Sequence, residues 1–152
     1  MKKYFTLAYS SALLFASLTL TGCTANVSLE AAADSNSYAC AEFSVRLPDS
    51  VDSLAKRPTD AQATAAWGNP TAVIARCGLP EVSASKLRCV TASGVDWLVD
   101  EAKAPTYRFI SFGRKPATEV IIDSSKVSGA NVLDEISKAV QRTKLIRTCT
   151  GG

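Results

Sequence analysis

Among the residues that could do chemistry, Cys23 stands out: it follows Leu20-Thr21-Gly22 directly. A small residue at Gly22 lets a peptidase reach the bond, and the Cys23 thiol can then accept a diacylglyceryl group as a thioether. Four further cysteines remain, Cys40, Cys77, Cys89 and Cys149. An even number in an exported chain favours disulfides. Four cysteines allow three connectivities. Cys77 and Cys89 lie in successive strand-like segments, which favours their pairing and leaves Cys40 with Cys149 to tie the two ends of the domain. A zinc site is the sharper alternative, but no pair has C-x-x-C spacing and the chain contains no histidine. No metal and no cofactor is expected.

The lack of histidine also removes Ser-His-Asp and Cys-His catalysis and histidine general bases. Ser83-Ala84-Ser85-Lys86 fits the S-x-x-K pattern of a lysine-assisted serine nucleophile. About one such spacing arises by chance in a chain this rich in serine and lysine, and no K-T-G element accompanies it. Asp96, Asp100, Glu101 and Glu119 could pair for acid and base work on a glycoside, although solvated strand ends and ion pairs explain them as well. There is no glycine-rich phosphate loop. Large rings and arginines do gather beside turns, at Trp67-Gly68-Asn69-Pro70, at Gly94-Val95-Asp96-Trp97 and at Phe112-Gly113-Arg114. With Arg76, these make Trp67, Arg76, Asp96, Trp97 and Arg114 the candidate binding residues, rings supplying area and arginines directional donors. The competing reading has both tryptophans closing a small core, with Arg76 and Arg114 paired to Asp96 or Glu119.

Position along the chain supplies the context. Lys2 and Lys3 precede a mostly apolar run, Tyr4 to Leu20, and then Leu20-Thr21-Gly22-Cys23, which resembles the bacterial lipobox. The run is too short and too often interrupted by Ser and Thr to make a permanent transmembrane helix, so residues 1–22 read as a removable signal. Two or more acyl chains on Cys23 would give a stable anchor. Loss of Lys2 and Lys3 lowers the formal net charge from +3 to +1. No basic tract survives, which argues against nucleic acid as a partner.

Residues 24–36, rich in Ala, Ser and Asp, read with Cys23 as a lipidated N-terminus and flexible tether over 23–36, about 13 residues reaching roughly 20 Å. A single domain over 37–152 follows. Ser37 can cap a helix that turns Cys40, Phe43 and Leu47 to one side, with Pro48 ending it. Residues 51–66 look irregular, with a short helix over 59–66. Strands are expected over 72–77, 86–92, 95–99, 106–112 and 118–122. From Asn131, Val132, Leu133, Ile136, Ala139 and Val140 form an apolar helical stripe. The expected fold class is α+β: a two-layer, mostly antiparallel β-meander of about four to five strands packed by an N-terminal and a C-terminal helix.

The ordered run of Cys40, Leu47-Pro48, Arg57, Trp67-Gly68-Asn69-Pro70, Arg76-Cys77-Gly78, Cys89, Gly94-Val95-Asp96-Trp97, Gly113-Arg114 and Glu119-Val120 resembles a family of exported actinobacterial lipoproteins. That family is the domain of unknown function numbered thirty-five fifteen. The resemblance covers about residues 40–140 and implies the address and the domain limits, with no biochemical role to transfer. Asn69 stands where the family is expected to carry Asp, and Cys149 lies beyond the shared part. Together these readings lead to a lipid-anchored, extracytoplasmic cell-membrane protein, non-enzymatic, that binds an envelope protein or a cell-wall polymer. The alternatives are an envelope hydrolase or transferase using carboxylates or a Ser-Lys pair, and a purely structural envelope protein.

Overall fold

Strand follows strand once Pro48 has ended the first helix. The structure, a computed structural model, describes residues 25–150; Cys23 and the expected signal lie outside the described residues. Helix α1 (Tyr38–Val45) starts where Ser37 accepts the Cys40 N–H on its hydroxyl, and it buries Cys40 and Phe43. Ten strands follow, interrupted by one helix. They are β1 (Ser50–Val51), β2 (Leu54–Arg57), β3 (Thr64–Trp67), β4 (Val73–Leu79), β5 (Arg88–Ala92), β6 (Val95–Asp100), β7 (Thr106–Ser111), β8 (Arg114–Lys115), β9 (Ala117–Asp123) and β10 (Lys144–Leu145). Helix α2 (Gly129–Val140) precedes the last of them.

The expected few-strand α+β meander is overturned. An eight-stranded sheet runs in the order β1-β2-β3-β4-β9-β7-β6-β5, every neighbour antiparallel, with β8 and β10 forming a separate pair. Among the described residues the fold is mostly β, with two short helices. Two physical causes separate expectation from outcome. Residues 50–67 make three strands, because Asp52 and Ser53 both take positive φ, 43° and 69°, and so close a tight hairpin without the glycine that usually signals one. Strand β9 inserts between β4 and β7, so the chain does not meander in sequence order.

Alternation along the strands divides the sheet into two faces. Val73, Ala75, Val95, Trp97, Val99, Val120 and Ile122 turn to one face, where Phe43 of α1 and Val132, Leu133, Ile136, Ala139 and Val140 of α2 cover them. The other face carries a smaller cluster of Leu98, Ile110 and Ala117 with Leu79, Val82, Cys89 and Phe112. Two disulfides hold these layers, Cys40–Cys77 and Cys89–Cys149. The expected pairing of Cys77 with Cys89 and Cys40 with Cys149 is therefore corrected. Cys77 points into the α1 side of the sheet, whereas Cys89 belongs to the opposite face, so the two cannot meet.

Both terminal segments are bound to the body at glycines. The Asp34 N–H donates to the Gly78 carbonyl at 3.0 Å, and a Cβ on Gly78 (φ +111°) would lie 2.5 Å from the Ser35 nitrogen. Ile146 donates to the Gly113 carbonyl at 2.7 Å, and a Cβ on Gly113 (φ +59°) would lie 2.2 Å from the Arg147 carbonyl oxygen. Only glycine permits these crossings. Much of the stretch read as a flexible tether is accordingly held: Val27 bridges to Thr59, the Leu29 N–H donates to Asp60 Oδ1 at 2.8 Å, and Ser35 is buried.

Asp52 caps α2 from the β1–β2 turn, accepting the Ser128 N–H at 2.7 Å and the Asn131 amide at 2.9 Å. The Asn131 bond, then that from Ser128, holds its carboxyl below the ordinary aspartate value of 3.8. A depressed value means that the contribution is complete above that pH and is lost as pH falls through the folded value. Asp52→Asn should therefore be less stable than wild type at neutral pH, with the difference closing as the pH falls below 3.8 through the lowered folded value. Urea midpoints measured across that range check it.

Candidate functional site

Strand β5 ends the sheet, and its free edge borders a groove of about 470 Å³. The β5–β6 hairpin turns through Ser93 (φ 42°) and Gly94 (φ 73°), so the flanking pair Ala92 and Val95 exchanges both main-chain bonds. Alternation along an antiparallel ladder then directs the N–H and C=O of Cys89 and Thr91 away from β6, towards the free edge. The Thr91 hydroxyl is turned to the opposite face, donating to Asp96 Oδ1 at 2.7 Å. Val90, Val99, Tyr107, Phe109, Ala130 and Leu133 supply most of the apolar lining. The groove exists because α2 is fastened to the hairpin at one end only. Ser137 donates to the Ala92 carbonyl at 3.0 Å, Ser93 to Asp134 at 2.9 Å and Gln141 to the Ser93 carbonyl at 2.6 Å. Gly129, Ala130 and Leu133 at the start of α2 line the groove together with Val90.

The residues expected to bind are placed otherwise. Trp67 and Trp97 are both 0% exposed and Arg114 is 5% exposed. The Trp67 indole donates to the Pro48 carbonyl at 3.1 Å, and that of Trp97 to the Ser137 hydroxyl at 3.4 Å. Arg114 donates to the Thr143 carbonyl at 3.0 Å and the Gly94 carbonyl at 3.4 Å, tying the C-terminal turn to the β5–β6 hairpin. Burial pushes its guanidinium below the ordinary value, and the charge of Asp96 partly offsets this. Asp96 also accepts the Cys149 N–H on Oδ2 at 2.8 Å, so it orders the C-terminal tail. Trp67, Trp97 and Arg114 therefore present little surface to a partner, and Asp96 is half-buried. They close the core and hold the tail.

Arg76 belongs to a different cluster. Glu119, 4% exposed, accepts from Arg76 Nε at 3.0 Å and Nη2 at 2.7 Å on one oxygen, and from Arg108 on the other. Of the open pairings of Arg76 and Arg114 with Asp96 or Glu119, Arg76 takes Glu119, and Arg108 joins it without a signal in the sequence. The remaining carboxylates are also engaged. Asp100 accepts the Ala102 N–H at 3.1 Å, and Glu101 pairs with Arg88 at 2.6 Å. Ser83 and Lys86 are exposed on the β4–β5 loop, with no hydrogen bond between them. Cys89, Asp96 and Cys149 place their ligand atoms within 4.8 Å of one another, but both sulfurs are spent in the disulfide. The groove residues themselves were not singled out in the sequence. Their signal, the alternation of Arg88 to Ala92, becomes informative only when β5 is known to be an edge.

The two disulfides differ in access. Cys40 and Cys77 are 0% exposed, whereas Cys89 and Cys149 are half-buried beside the tail. Exchange requires a thiolate to reach sulfur. Under mild dithiothreitol, Cys89–Cys149 should open more than about tenfold faster, because Cys40–Cys77 waits for opening of the core. Alkylation followed by peptide mapping reads the order, and labelling of Cys40 and Cys77 first would contradict it.

Among the described residues no helix is long and apolar enough to cross a membrane. No curated protein and no solved structure matches the chain. One family model does match, over residues 8–147, a span that ends before Cys149. The motifs Trp-Gly, Arg-Cys-Gly, Gly-Val-Asp-Trp and Gly-Arg fall within that span, and each has a structural duty here: a core ring, a disulfide, a glycine crossing or a tail clamp. The chain belongs to the family described as "Protein of unknown function (DUF3515)".

Proposed function

We propose that this chain is a lipid-anchored domain of the bacterial envelope, of actinobacterial type, which binds an extended segment of another envelope protein along the free edge of β5. The unpaired main chain of Cys89 and Thr91 beside an apolar groove carries the reading. An added strand would bond to those main-chain groups and set alternate apolar side chains in the groove. A cell-wall polymer suits this lining less, since sugars ask for polar partners and open rings. The engaged carboxylates and the separated Ser83 and Lys86 favour binding over hydrolysis or transfer.

The address rests on Leu20-Thr21-Gly22-Cys23 and on cysteine accounting. Cys40, Cys77, Cys89 and Cys149 pair among themselves, which leaves Cys23 without a partner in the framework and available for lipid. Two disulfides also favour an oxidising compartment, the outer side of the membrane. A photoreactive residue at Ala130, in intact cells, should give an adduct with one envelope protein. Thr91→Pro removes the outward N–H and should abolish the adduct, whereas Thr91→Val keeps that N–H and should retain it. An adduct that survives Thr91→Pro in a folded variant would sink the edge-binding reading.

A further inference from the structure

The anchor reading has a geometric consequence, and the inference drawn here rests on it. Ala25 is already part of the body: Arg57 Nη2 donates to its carbonyl at 3.0 Å, and two residues on the Val27 N–H donates to the Pro58 carbonyl at 2.9 Å. Only Thr24 lies between Ala25 and Cys23. Two residues of extended chain reach about 7 Å. A lipid on Cys23 therefore cannot hold the domain on a long leash.

The surface around that attachment is built from Ser53, Leu54, Ala55, Lys56, Arg57 and Asn69, which border an open hollow with Ala25. Its two cations, Lys56 and Arg57, have no carboxylate partner among the described residues. Asp49 stands across the β1–β2 hairpin, its carbonyl accepting the Lys56 N–H at 2.8 Å, while Asp52 is turned to α2 and occupied by Ser128 and Asn131. The geometry points to this β2–β3 pole as a membrane seat: it rests against the headgroup layer, with Lys56 offered to anionic phosphates and Arg57, bonded to the Ala25 carbonyl and the Thr71 hydroxyl, adding its charge from behind. Charges of this sign attract an anionic surface within a Debye length, about 8 Å, which the short link guarantees. The β5 groove lies on the other flank of α2, since Asn131 and Glu135 face the Asp52 turn while Asp134 and Ser137 face the β5–β6 hairpin. The seat and the groove can thus be occupied together.

The test supplies the anchor chemically, so that it does not depend on lipidation in cells. The chain from Cys23 onwards is coupled through that thiol to a maleimide lipid in vesicles of phosphatidylcholine and phosphatidylglycerol carrying a spin-labelled headgroup. A fluorescent residue at Ala55 should be quenched several-fold more than one at Ala84, on the β4–β5 loop. A flexible Gly-Ser spacer placed between Thr24 and Ala25, or Lys56→Glu, should shrink that preference. Equal quenching at both positions in the anchored, folded chain would overturn the seat. Absence of acyl groups on Cys23 in cells would instead overturn the anchor, and is read separately.

Discussion

Replacing Cys40 and Cys77 together by Ala should cost about 4 kcal/mol of folding stability, a large share of the roughly 5–15 kcal/mol that a domain possesses. The disulfide closes a loop with a sequence separation of 37, and the chain-entropy relation gives that magnitude for the unfolded chain. Its geometry adds to the effect. Cys40 lies on α1 and Cys77 on β4, both fully buried, so the bond pins the helix to the sheet through the centre of the main core. The Cys89–Cys149 bond closes a longer loop, with a separation of 60, yet its removal should cost less. The reason lies in the folded state. Beyond Leu145 the tail is held by few bonds, to Gly113, to Glu81 and to Asp96, and once released it gains freedom that offsets part of the loss. Urea unfolding of the two double variants checks the order. A larger loss for the Cys89 and Cys149 variant would mean that the tail, and not α1, is the keystone.

Trp97→Ala should lower stability by about 3–5 kcal/mol, the range for deleting a large buried ring. Trp97 is 0% exposed, stands on β6 at the centre of the main cluster, and meets α2 through Ser137. Trp97→Phe keeps much of the ring's contact area and loses the indole bond, and should cost less than half as much. The slope of the urea transition should stay constant while its midpoint moves. A surface ring used only for recognition would shift stability by no more than about 0.5 kcal/mol when removed. That contrast makes the variant a direct check on the core placement, and the same reasoning applies to Trp67.

Where single residues dictate local geometry, the chain is readable. Ser37 and Pro48 delimit the first helix, the apolar stripe from Val132 to Val140 gives the second, and the alternating runs that became β4 to β7 and β9 lie where alternation places them. Ala65 and Ala66 mislead, because alanine favours helix and only tertiary context puts it in a strand. The Asp52-Ser53 turn hides a hairpin for want of glycine. Strand order is not a local property at all. Glu119 sits opposite Arg76 on one side and diagonal to Arg108 on the other, which fixes β9 between β4 and β7, but a single carboxylate among many does not reveal two partners in advance.

The same distinction explains the site. Trp67, Trp97 and Arg114 draw attention by type, and their types serve burial as well as recognition. The edge groove is made of unremarked residues, Val90, Val99, Tyr107 and Leu133, and of main-chain groups that have no sequence signature. Its meaning comes from the position of β5 at the end of an eight-stranded order.

Both the envelope address and the membrane seat depend on Cys23. Intact-mass and N-terminal peptide mass spectrometry of the protein extracted from membranes tests it most directly. The account predicts a chain that begins at Cys23, carries a diacylglyceryl thioether there, and retains two disulfides. A chain that keeps the residues before Cys23, or that begins there with an unmodified thiol, would contradict it.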